Sequence, residues 1–269
     1  MIRRLAVDQA ANLRRLVLEK KNDVPSSTRT IVITSGKGGV GKSSIVSNMA
    51  YVLGGMKAST YILDADLSLG NIDIMFGMAP QFNIKDLING RKRIGEIVVE
   101  GPCGIRIIPA TSGVTEFSHL SLDERNILLT SFRELPEYDF LLIDTSAGIS
   151  SNVVYFNAIS EDIFIVVTPD PASLTDSYAV IKVLHKNTGR KNFNVIVNMA
   201  KDENEALDVF KKITRVTDRF LDVYLDFYGY IPVDKNINVA TRKQKLWVEQ
   251  FPNTVATKAL QKICDRMVA

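Results

Sequence analysis

Cysteine and histidine are scarce in this chain, with two of each among 269 residues. Cys103 and Cys264 are too few for a disulfide framework or a four-ligand zinc site, and they read as small buried hydrophobes. His119 and His185 read as structural rather than as metal ligands. No run approaches the ~20 apolar residues that a transmembrane helix needs. The N-terminus carries two arginines but no apolar segment of the signal-peptide kind. Glycine and proline, 16 and 9 residues, are too sparse for collagen or a low-complexity linker protein. No unit of about 20–50 residues repeats, which excludes a solenoid. Neither sign of charge dominates: 33 basic against 30 acidic residues leave +3, too even to imply nucleic-acid binding. With 46% apolar and 23% charged residues, the composition is that of an ordinary soluble enzyme with a full core.

What the chain does contain is an alternation of short apolar runs and longer helical patterns. The runs are Thr30–Thr34, Thr60–Leu63, Ile105–Ile108, Phe140–Ile143, Ile163–Val167 and Asn194–Val197. They are apolar at consecutive positions, as strands buried on both faces are, and this predicts a parallel sheet. Helices are expected over Lys42–Leu53, Leu122–Glu134, Asn152–Ile159, Leu174–His185, Glu203–Phe220 and Thr254–Met267. Ser121 and Glu124 have the spacing of a capping box ahead of the second. The alternation predicts a doubly wound α/β domain over 30–269, with ligands beyond the carboxyl ends of the strands.

Residues 1–21 stand apart, with six basic and two acidic residues. Ile2, Ala6, Ala10, Leu13 and Val17 share one face at helical spacing, with Arg4 and Arg15 opposite. Two readings stay open: an amphipathic appendage on a polar linker over 22–29, or a loosely docked tail.

The strongest motif is Gly36-Lys37-Gly38-Gly39-Val40-Gly41-Lys42-Ser43, which fits G-x-x-x-x-G-K-[ST]. Its glycines let successive N–H groups point at phosphate oxygens, and the following helix presents its positive end. Lys42 reaches the β- and γ-phosphates, and the Ser43 hydroxyl, followed by Ser44, is placed to ligate Mg²⁺. A second lysine, Lys37, points to a charge supplied to another nucleotide across a dimer; a solvent-facing lysine is the plain alternative. Asp64 and Asp66 follow one strand and Asp144 another, where carboxylates serve a Mg²⁺ ion or orient an attacking water. The guanine motif N-K-x-D is absent at Asn198–Asp202, so adenine is expected, with Asn198 as a hydrogen-bonding candidate. Pro232 and Asp234 would flank the ring.

On these residues the chain resembles the MinD/ParA family of deviant P-loop ATPases. KGGVGKSS carries that family's signature lysine as Lys37, DADLSLGNID resembles its first switch, and IDTSAGI its second. Within the family it is similar to the FlhG (FleN) subfamily of flagellar-number regulators. TPDPASLTDSYAVIKVL, GYIPVDKNINVATRKQ and Asp8-Gln9-Ala10-Ala11-Asn12-Leu13-Arg14 (D-Q-A-x-x-L-R) carry that likeness. The resemblance implies an ATP-dependent homodimer. Lys42 and Ser43 would hold phosphates and Mg²⁺, and Lys37 would reach the partner's nucleotide. Asp66 would position the hydrolytic water, while Asp64 and Asp144 would serve the Mg²⁺ site. The N-terminal helix would bind and stimulate the signal-recognition-type GTPase FlhF, through Asp8, Leu13 and Arg14, with Gln9 as effector. Flagellar C-ring proteins or a flagellar transcription activator would act downstream. The implied location is the cytoplasm, with recruitment to the inner membrane face or the cell pole. Members usually carry a membrane-targeting helix beyond the last core helix; here Val255, Ala259, Ile263 and Met267 mark instead a helix docked on the sheet, which leaves membrane contact open. A chromosome- or plasmid-partitioning ATPase, or a cell-division-site ATPase, of the same family is the alternative, although direct nucleic-acid binding is not expected.

Overall fold

The computed structural model describes residues 28–67, 70–111 and 119–269. Residues 1–21, with the partner-binding expectations for Asp8, Gln9, Leu13 and Arg14, lie outside the described residues, as does most of the linker.

Each of the six apolar runs becomes a strand, and two strands that were not among them, β3 and β8, are added. In chain order the strands are β1 (Arg29–Thr34), β2 (Thr60–Ala65), β3 (Val99–Glu100), β4 (Arg106–Ile108), β5 (Phe140–Thr145), β6 (Asp162–Val167), β7 (Asn192–Ala200) and β8 (Tyr224–Pro232). They form an eight-stranded sheet in the order β3-β4-β2-β5-β1-β6-β7-β8. The pairings are parallel except β3 with β4. Consecutive apolar residues serve opposite faces. Val32, Leu141, Ile143, Ile163, Ile165, Val195 and Val197 enter one core. Ile31, Ile33, Leu142, Phe164, Val166 and Ile196 enter the other. Burying each such side chain contributes about 1.5–3 kcal/mol, so a run without polar gaps is stable only between two helical layers.

The helices are α1 (Lys42–Gly55), α2 (Ile72–Met75), α3 (Ile84–Ile88), α4 (Ile94–Ile97), α5 (Leu122–Phe132), α6 (Ser151–Ile159), α7 (Pro171–Thr188), α8 (Glu203–Phe220), α9 (Lys235–Arg242), α10 (Trp247–Gln250) and α11 (Val255–Val268). Ser121 and Glu124 close the expected capping box on α5. Helix α11 docks on the sheet, but its buried face is Ala256, Leu260, Ile263, Cys264 and Met267. Val255, expected on that face, is exposed. Gly229 on β8 admits it, because a Cβ there would meet Ile263 at 2.7 Å. Arg29 ties the start of β1 to β6 and to α11: it donates to Asp162 and to the carbonyl of Met267 near the end of α11. Cys264 is buried as expected, whereas Cys103 is exposed on a turn at φ 58°. No helix among the described residues is long and apolar enough to cross a membrane.

Strand β1 lies between β5 and β6; its own connection runs to β2 on one side, and that of β5 passes to β6 on the other, so the winding reverses here. The crevice that this reversal opens at the carboxyl ends is where a doubly wound sheet takes its ligand.

Candidate nucleotide site

The glycine-rich loop runs from the end of β1 into α1, inside that crevice. Gly39 (φ 77°) and Gly41 (φ 91°) hold left-handed backbone that other residues resist. Gly36 is required for a different reason: a Cβ there would lie 2.2 Å from the backbone of Asp176 on α7. No side chain caps the amino end of α1, so its first N–H groups are available to an anion.

Lys42 is 8% exposed. Its Nζ donates to Ser35 Oγ at 2.8 Å, and Ser35 Oγ donates to the Lys37 carbonyl, also at 2.8 Å. Burial lowers its pKa, while the charges of Asp144 and Asp66 oppose the shift. Asp144 lies at the end of β5, 1% exposed. One of its oxygens has no hydrogen-bond partner, and the Ser43 side chain hydrogen-bonds the carboxyl. Burial pushes Asp144 up to about 7, against the pull of Ser43 and Lys42 and with a further push from Asp66. Ser44 Oγ is likewise buried without a partner. A hydroxyl and a carboxylate with an idle oxygen, beside anion-seeking backbone, fit Mg²⁺ carried on a phosphate chain.

Asp64 sits opposite Asp144 in the β2–β5 register. Its carboxylate accepts from the backbone N–H groups of Asp66 (3.2 Å), Asn71 (2.9 Å) and Ile72 (3.1 Å). Burial, and then Asp144, push it well above the ordinary carboxylate range, opposed by the N–H groups of Ile72 and Asp66. The segment that follows β5 is tied to the end of β1, ahead of the loop, by Gly148 N–H donating to the Ser35 carbonyl at 2.9 Å.

The residues expected around the base also converge on this end of the sheet. Asn198 is opposite Ile231, and Ala200 opposite Pro232, in the β7–β8 register. The Asn198 amide donates to the Val40 carbonyl at 2.7 Å and accepts from Met199 N–H at 2.9 Å. It therefore braces the phosphate loop from outside. Met199 adopts φ 59° where the ladder shifts register. Asp234 caps α9, accepting from Asn236 N–H at 2.8 Å.

One partner was not visible in the motifs. Lys37 pairs with Asp170, the N-cap of α7. The Asp170-Pro171 step is a helix-start signal, but its register against the loop is a tertiary fact.

Comparison with known proteins agrees with this geometry. A family model described as an AAA domain matches residues 28–208. The antiactivator FleN of Pseudomonas aeruginosa is 38% identical over 240 residues, covering 89% of this chain and 86% of FleN. The flagellum site-determining protein YlxH of Helicobacter pylori is 30% identical over 256 residues, covering 92% of this chain and 84% of YlxH. Among solved structures, the MinD cell division protein of Aquifex aeolicus superposes with a TM-score of 0.73 at 24% identity, over 90% of this chain and 97% of that one. A P-loop backed by a second lysine, on this sheet order and with these relatives, places the chain: it belongs to the MinD/ParA-type P-loop ATPases of the AAA-domain family, on the branch of FleN.

Proposed function

We propose that the protein is an ATP-hydrolysing dimeric switch that limits flagellar number or placement. What carries this reading is the complete P-loop with Lys37 on a chain 38% identical to an antiactivator named FleN. The relative YlxH, named for determining the flagellar site, supports the same process.

The loop N–H groups and Lys42 bind the ATP phosphates, and Ser43 and Asp144 hold Mg²⁺. When bound, Mg²⁺ supplies charge neutralisation for the transferred phosphoryl group. Asp66, within electrostatic reach of Lys42, orients the attacking water. Asn198 and Pro232 border the adenine, with Asp234 beside them. Lys37 leaves Asp170 to reach the nucleotide of a second copy, so that ATP closes the dimer. The segment 1–21 engages the GTPase FlhF, and C-ring proteins or a flagellar transcription activator receive the signal. The protein works in the cytoplasm, at the inner membrane face or the cell pole, and its turnover is slow because hydrolysis only resets the switch.

Two measurements test this together: molar mass by light scattering with Mg²⁺ and a non-hydrolysable ATP analogue, and GTP hydrolysis by FlhF with and without the full chain. A dimer and a stimulated FlhF are expected. A monomer, or an FlhF that does not respond, overturns the corresponding half of the reading.

A further inference from the structure

Two aspartates at the same sheet register meet different surroundings. Asp144 keeps an oxygen without a partner. Asp64, also 1% exposed, spends its carboxylate on three backbone N–H groups at 2.9–3.2 Å. Those donors belong to both sides of one loop: Asp66 where the chain leaves β2, and Asn71 and Ile72 where it enters α2. A carboxylate offers about four acceptor positions, so three are taken. Gly70 has the same cause, since a Cβ there would lie 2.8 Å from Asp64 Oδ2 and 2.6 Å from the Ala110 side chain. Thr111 Oγ1 fixes the loop again by donating to the Leu67 carbonyl at 2.5 Å. Beyond the loop, Ile72 is fully buried, and Met75 accepts from Ser47 of α1 at 3.6 Å.

We infer that Asp64 is a positioning residue that clamps the loop carrying Asp66, rather than a ligand of the metal. This rests on the ATPase reading and sharpens it: the metal site is left to Ser43, Asp144 and the phosphates, and Asp64 sets where the carboxylate of Asp66 stands. A direct bond to Mg²⁺ would demand near-ideal octahedral geometry and would have to draw the carboxylate away from its amides.

Amide hydrogen exchange of the wild-type chain by NMR, with and without Mg²⁺ and a non-hydrolysable ATP analogue, separates the two roles without turnover. The clamp keeps Asp66, Asn71 and Ile72 protected when Mg²⁺-nucleotide binds; loss of protection at these three on binding overturns it. Asp64→Asn gives the second readout, because its NH₂ group turns toward an N–H donor. Turnover at saturating Mg²⁺ and ATP falls about 10²-fold, as expected for a reacting group misplaced by ~1 Å, while Mg²⁺ affinity in nucleotide binding stays within about threefold, since no metal bond is lost. Wild-type turnover in Asp64→Asn, or a loss of Mg²⁺ affinity matching that of Asp144→Asn, overturns the inference. If the variant does not fold, the exchange experiment decides alone. A wild-type chain that binds but never hydrolyses ATP refutes the ATPase reading, and the exchange pattern still reports on the clamp.

Discussion

Lys37, on the phosphate loop, is ion-paired with Asp170 of the same chain, and both side chains are 43% exposed. The Lys37 hydrogen bond holds Asp170 below the usual carboxylate range. The pair is therefore complete at neutral pH and is lost as pH falls through the depressed folded-state value. Reaching a second nucleotide requires Lys37 to give up this partner. An exposed pair of this kind holds only weakly against solvent screening, so Asp170→Asn is expected to lower the ATP concentration for half-dimerisation by no more than about fivefold. Lys37→Ala binds ATP but stays monomeric, and the NMR titration of Asp170 moves up toward the ordinary range, the backbone N–H groups that Asp170 caps still holding it down. Light scattering across an ATP titration checks the first two outcomes; unchanged thresholds would separate the pair from dimerisation.

Lys42 and Asp66 separate binding from chemistry. Lys42→Ala removes a buried cation of the phosphate loop and should abolish ATP binding, measured with a fluorescent nucleotide. Asp66→Ala should bind ATP and dimerise normally, since its group acts mainly in the transition state. Its turnover should fall about 10²–10⁴-fold if it also acts as general base. Wild-type turnover would move the role to another residue.

The glycines of the loop differ in cost. Gly36→Ala forces the loop away from the backbone of Asp176, and overpacking of this kind costs about 1–3 kcal/mol. At Gly39 a Cβ meets nothing within 4 Å, and only the φ of 77° opposes it, a penalty of roughly 1–2 kcal/mol. Thermal melting should show both variants destabilised. Gly36→Ala alone should also lose nucleotide affinity, because it displaces the loop rather than straining one residue.

The N-terminal segment can be tested by itself. A peptide of residues 1–21 should stimulate GTP hydrolysis by FlhF without the ATPase domain. The Gln9→Ala peptide should bind and stimulate far less, because an amide both donates to and accepts from a water or phosphate. Leu13→Asp should lose binding by placing a charge in an apolar contact. Equal stimulation by the wild-type and Gln9→Ala peptides would remove Gln9 from the mechanism.

Much of the fold was legible because it is local. Runs such as Phe140–Ile143 have no polar face, and only a two-sided sheet accommodates them; β5 extends that run to Thr145. Helix α8 was expected with the bounds it has, because its stripe of Ala206, Val209 and Ile213 repeats at helical spacing. The short helices α2, α3, α4 and α10, of four or five residues each, were not anticipated, since so few residues carry no period. The phosphate loop was legible for its chemistry, but the partners of its side chains were not. The pairing of Lys37 with Asp170 spans 133 residues, and the fate of Asp64 depends on where Asn71 and Ile72 return. Sequence spacing identified the carboxylates; only the closed loop distinguishes the one with an idle oxygen from the one already engaged.

Arg29 stands at the start of β1, hydrogen-bonded to Asp162 and to the end of α11, whereas the phosphate loop leaves the other end of the same strand. Six residues at about 3.3 Å each put these points ~20 Å apart. Whatever precedes residue 28 is thus attached at the pole opposite the nucleotide. In a dimer joined through its nucleotide faces, the starts of the two β1 strands would stand at far poles. The points at which the described chain begins would then be kept apart from the contact that ATP closes, so that forming the dimer would neither bury nor bring together those two ends.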